Sequence, residues 1–177
     1  MNAEDYRKEY NRMVREISRQ ISKLEKIDPE SVALERYRNY FQPVTTRNPN
    51  YRTMQKLYSA AKSVIRSNQL SPESQERSKA NAIETLHREG YDYINKRNFN
   101  SYMRFLDDAR ARGLGSLYSS TQIIEAIREA KEKGLSKSQI LNNIKHWSEE
   151  MKRDSEGRII EQIEPKRLKV KLYGNKR

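Results

Sequence analysis

The sequence predicts a mainly α protein: basic amphipathic helices at the N-terminus, a helical pair or small bundle after them, and a short extended or β-like arm at the C-terminus. Three observations lead there. Apolar residues recur at steps of three and four through most of the chain, the period of one helical face. The apolar fraction of 34% and mean hydropathy of -1.09 over 177 residues leave only a thin core, which favours extended helical packing. Near the end the period changes, because "RLKVKLY" alternates basic and apolar residues as a strand does.

The first helix spans 3–27, where Tyr6, Tyr10, Met13, Val14, Ile17, Ile21 and Leu24 fall on one face. At about 100° per residue, Lys8, Arg12, Arg15, Arg19, Lys23 and Lys26 form a second stripe almost opposite. Such a stripe is either a solvated face or a set of phosphate contacts. From Arg36 to Pro72 there are seven Lys or Arg residues and no acid, with Tyr37, Tyr40, Phe41, Tyr51 and Tyr58 interleaved. Surface helices usually mix signs, so this asymmetry points to a polyanion. Within it, "NPN" opens a helix whose apolar face holds Tyr51, Met54, Leu57, Tyr58, Ala61, Val64 and Ile65, and packing is the reading given to both tyrosines. Arg52, Lys56, Lys62 and Arg66 then point away from that face.

Ser71 and Pro72 restart the chain as cap and first helical residue of a weaker helix ending at Gly90. "FNSYMRFLDDARARG" places Phe99, Tyr102, Met103, Leu106 and Ala109 together, and Gly113 and Gly115 stop it. A serine-capped helix with Ile123, Ile124, Ile127 and Ala130 ends at Gly134. The capping box "SKSQ" opens its partner, which carries Ile140, Ile144, Trp147 and Met151. A short connection makes the two an antiparallel pair. "RDSEGR" then forms a turn, and Pro165 confines the strand beyond it to a sheet edge or a separate arm.

Net charge is +12, which draws the chain toward a polyanion, nucleic acid being the default partner. The absence of cysteine fits a reducing compartment. No membrane span or signal-peptide core is apparent, so a soluble cytoplasmic protein is expected. His87 and His146 have no triad setting, and a phosphate-loop motif is missing. Asp107 and Asp108 diverge by about 100° on a helix, and Glu149, Glu150, Asp154 and Glu156 lack metal-ligand spacing. An enzyme is not expected.

The segments "DYRKEYNRMVREISRQISKLEK", "YDYINKRNFNSYMRFLDDARARG", "GSLYSSTQIIEAIREAKEKG" and a further helix ending in "DSEG" resemble, in that order, the terminal proteins of small phages with protein-primed linear DNA genomes. In that family a serine hydroxyl, or tyrosine or threonine in relatives, receives the first nucleotide from a family-B DNA polymerase and stays linked to the 5′ DNA end. The resemblance implies Ser155 as the priming hydroxyl, in a loop with Asp154, Glu156 and Gly157. The chain is shorter than the family pattern, and its tail reads as strand where relatives continue as helix. Tyr118, Ser119, Ser120 and Tyr173 are alternative hydroxyls.

The resulting expectation is a DNA-binding module over 1–70, a polymerase-binding and priming region over 71–157, and a basic arm over 158–177. Lys8, Arg12, Arg15, Arg19, Lys23, Arg52, Lys56, Lys62 and Arg66 would contact DNA phosphates. Cofactors are expected to be none of its own, with divalent metal and dNTP reaching it through the polymerase. The location implied is the host cytoplasm or nucleoid, or the virion at the genome ends. The alternative is a non-covalent, sequence-independent nucleic-acid-binding or virion-associated protein. A third class is a helical scaffold whose basic stripe binds an acidic protein.

Overall fold

The computed structural model describes residues 1–150 and the backbone of 152–153 and 159–161, and it is mainly helical. The chain gathers into two compact units, Met1–Asn100 and Ser101–Arg177.

In the first unit, α1 runs over Ala3–Glu25. It opens with a reciprocal capping box: the Asn2 side-chain oxygen accepts the Asp5 N–H at 2.8 Å, and the Asp5 carboxylate accepts the Asn2 N–H at 3.2 Å. The expected face is the buried one, with Tyr10, Met13, Val14, Ile17, Ile21 and Leu24 all inside and Tyr6 partly covered. The helix stops slightly before residue 27, because Pro29 disfavours helical backbone at Asp28. A short helix, α2 over Val32–Tyr40, follows with Ser31 as its cap. The sequence reading did not separate this element from the acid-free stretch. Next come α3 over Tyr51–Arg66, capped by Asn50, and α4 over Pro72–Arg88, capped by Ser71 with proline in its first turn. Gly90 ends α4 at φ 99°, a backbone setting that a side chain would strain.

The core of this unit is α1 packed on α3, with Leu34 and Phe41 of the α2 region and Leu70 closing it. The connector between α2 and α3 is fastened along α1. The Asn11 side-chain amide pairs with both backbone groups of Val44 at 2.9 Å each, the Tyr10 hydroxyl donates to the Gln42 carbonyl at 2.9 Å, and Arg7 donates to the Val44 carbonyl at 3.2 Å. Each such bond contributes on the order of 1 kcal/mol. Packing keeps α4 with the helices before it: Gln75 donates to the Gln69 carbonyl at 2.7 Å, and Lys79 pairs with Asp28 at 3.3 Å.

Helix α5 spans Phe99–Ala111, and the division between the units falls inside it. Its buried residues are Tyr102, Phe105, Leu106 and Ala109, so Phe105 takes a core place that the sequence reading gave to the half-exposed Met103. A 3-10 turn over Leu114–Ser116 leads to α6 over Ser120–Glu132 and α7 over Lys137–Glu149. The capping box expected at Ser136 is present, and the serine cap expected for α6 is Ser119, which forms a capping box of its own with Gln122. Trp147 is fully buried beside Ile140 and Ile144 on its helix, as a packing residue should be. Beyond α7, β1 over Lys152–Arg153 pairs antiparallel with β2 over Ile159–Glu161. The strand expected over 167–173 lies outside the described residues.

Candidate nucleic-acid interface

The cationic stripe of α1 is exposed along its length: Lys8, Arg12, Arg15, Arg19, Lys23 and Lys26 all face solvent. Helical geometry requires this once the opposite face is committed to the core. Arg12 is held by Glu9 at 2.9 Å, both side chains being well exposed. That bond, ahead of the charge of Glu9 itself, raises the guanidinium pKa further, with a smaller contribution from Tyr58. Arg15, Arg19 and Lys23 have no ion pair or hydrogen-bonding side-chain partner among the described residues.

On α3, Arg52, Lys56 and Arg66 are likewise exposed and without an ion pair among the described residues, while Lys62 is half-buried with its ammonium 5.4 Å from the centre of the Tyr58 ring. Tyr6 links the two helices. Its ring lies 5.6 Å from that of Tyr51 and 5.1 Å from that of Tyr58, which places the starts of α1 and α3 together. The Tyr6 phenol pKa is raised, first by a hydrogen bond to Tyr51 and then by burial. Tyr58 thus meets Tyr6 of α1 on one side and Lys62 of its own helix on the other.

The tyrosines of the acid-free stretch divide into two kinds. Tyr37 is half-buried, donates to the Gln69 side-chain oxygen at 2.8 Å, and has its pKa raised by burial. Phe41 is buried and Tyr58 half-buried. Tyr51, read from the sequence as a packing residue, is instead 46% exposed, and Tyr40 is 57% exposed. The reason is positional: Tyr51 is the first residue of α3, so no preceding helical turn covers it.

The hydroxyls named from the sequence fare differently. Asp154, Ser155, Glu156 and Gly157 fall between β1 and β2 in sequence and lie outside the described residues, as does Tyr173. Tyr118 is 2% exposed, which removes it as a hydroxyl open to another protein. Ser119 is occupied as the cap of α6, accepting the Gln122 N–H at 3.2 Å, and the Ser120 hydroxyl accepts from Arg110 at 2.6 Å.

Sequence reasoning missed one concavity. A cleft of about 490 Å³ in the first unit is lined by Leu24, Ile27, Leu34, Pro72 and Phe99 together with Asp28 and Lys79. Its central carboxylate is already engaged, since Asp28 also accepts from Asn100 at 2.7 Å. The His87 ring donates from Nε2 to the Ile94 carbonyl at 2.6 Å. Among the described residues no three His, Cys, Asp or Glu side chains gather to hold a metal ion, and no helix is long and apolar enough to cross a membrane. No protein-family profile, curated protein or solved structure matches this chain.

Proposed function

We propose that this chain is a DNA-binding protein primer, the terminal protein of a protein-primed replication system. The DNA-binding part is carried by one observation: two packed helices, α1 and α3, present exposed cations that have few acidic partners. Ordinary surface helices pair such charges within the helix. Cations left open attract phosphates and release counterions on binding, which gives affinity without sequence readout. Lys8, Arg12, Arg15, Arg19, Lys23, Arg52, Lys56, Lys62 and Arg66 are the residues assigned to these contacts.

The priming part is supported by the order of sequence segments and by Asp154-Ser155-Glu156-Gly157. The Ser155 oxygen attacks the α-phosphorus of a deoxynucleoside triphosphate. A serine–phosphate ester forms, the α–β anhydride bond breaks, pyrophosphate leaves, and the hydroxyl proton passes to a base of the polymerase or to water. A family-B polymerase and its divalent metal ions align the two reactants, so the primer's share is to present an oxygen in position. In a cleft built for DNA, Asp154 and Glu156 stand in for the negative charge of a primer strand. The test is transfer of label from an α-labelled deoxynucleotide to the chain by a family-B polymerase of a protein-primed replication system. Label on the wild type and none on Ser155→Ala is the expected result. No label with an active polymerase would leave a non-covalent DNA-binding protein.

A further inference from the structure

The surface where α1 meets α3 carries more than charge. Tyr51 is 46% exposed and rests against Tyr6, with a 67° angle between the rings. Tyr58 lies seven positions further along α3, about 10.5 Å at the rise of a helix, beside Lys62. Arg52 and Lys56 lie about 100° and 140° further round α3 from Tyr51, both exposed, and the whole stretch from Arg36 to Pro72 contains no acid. Two carboxylates in the first turns of α1 are engaged within their own helix, Glu4 by Arg7 and Glu9 by Arg12.

A duplex offers such a surface only its phosphates, because its bases are stacked inside. An exposed aromatic ring bordered by cations gains energy from unpaired bases, each of which has a π-face, while the cations follow the backbone. We infer that the Tyr51 and Tyr58 surface, with Lys62 beside it and Arg52 and Lys56 further round α3, binds single-stranded DNA by stacking a base on Tyr51. This rests on the DNA-binding reading above and adds a strand preference to it. Stacking is sequence-tolerant, so the preference is for the unpaired state rather than for a particular base.

The test measures binding of the full chain to a fluorescent oligothymidylate and to a duplex of the same length, at one salt concentration, for wild type, Tyr51→Leu and Tyr51→Phe. Leucine keeps an apolar contact with Tyr6 but removes the π-face. Single-strand affinity should fall about tenfold in Tyr51→Leu, duplex affinity should hold, and Tyr51→Phe should bind like wild type. Circular dichroism confirms that each variant is folded. Equal loss for both DNA forms in a folded Tyr51→Leu, or no loss for either, would overturn the inference while leaving DNA binding intact. Absence of binding to both forms by the wild type would overturn the DNA-binding reading as well.

Discussion

Neutralising the middle of the α1 stripe, by Arg15→Gln, Arg19→Gln and Lys23→Gln together, should weaken DNA binding and flatten its salt dependence without loosening the fold. Among the assigned contacts, Lys8, Arg15, Arg19, Lys23, Arg52, Lys56 and Arg66 are exposed and engaged in no ion pair among the described residues. If all seven meet phosphates of a duplex, log K falls with log salt at a slope of about 6, since each contributes about 0.9. Removing three leaves four, and the slope drops to about 3.6. Stability should barely move. The three side chains are exposed, glutamine has a helix propensity close to those of arginine and lysine, and exposed substitutions of this kind stay within about 0.5 kcal/mol. The assay is fluorescence anisotropy against a fixed duplex over a salt series, with a thermal melt of each protein. An unchanged slope in a folded triple variant would refute the assignment, because the counterions released would then come from contacts elsewhere.

Three further outcomes follow from the packing. Tyr10→Phe removes the donor to the Gln42 carbonyl and should cost about 1 kcal/mol in urea unfolding, whereas Tyr10→Ala also opens a cavity and should cost about 3–5 kcal/mol. Burial, with Tyr40 adding to it, pushes the Tyr10 phenol pKa up to about 12. The folded state therefore keeps this proton after the unfolded chain has lost it. The stability it contributes is complete below about pH 10 and is lost as pH rises toward 12, which a urea series on wild type and Tyr10→Phe will register as a smaller alkaline loss in the variant. Ser136→Ala deletes the acceptor for the Gln139 N–H at the start of α7 and should cost about 1 kcal/mol, read from the urea midpoint.

The helices were legible because their signals are local. The buried face of α1, the serine caps at 71, 119 and 136, and the glycine stops at 90, 113 and 134 all follow from period and backbone chemistry within a few residues. What escaped needed distant partners or short elements. Helix α2 has only nine residues and buries two of them, too few for a period to show against the basic residues around it. The clamp of Asn11 on Val44 joins positions 33 apart, and nothing local marks either residue for it. Tyr51 satisfied the apolar period of α3 and still faces water, because periodicity assigns a direction and cannot say whether a helix end is covered. The basic stripes were readable as stripes; the contact of Tyr6 with Tyr58 and Tyr51 depends on how α1 and α3 pack. Ser155 is legible only as a motif, through its neighbours in sequence.

Trypsin offers the most direct measurement of the central claim. Cleavage after Arg153 and Arg158 releases the peptide Asp-Ser-Glu-Gly-Arg, in which Ser155 is the only hydroxyl-bearing side chain. After incubation with a family-B polymerase of a protein-primed system, divalent metal and one deoxynucleoside triphosphate, mass spectrometry of the digest should find this peptide heavier by one deoxynucleotidyl group, a deoxynucleoside monophosphate less water. The same increment on the peptide carrying Ser119 and Ser120, or on the one carrying Tyr173, would contradict the assignment of Ser155. An unmodified digest from a reaction in which the polymerase is active would contradict protein priming itself.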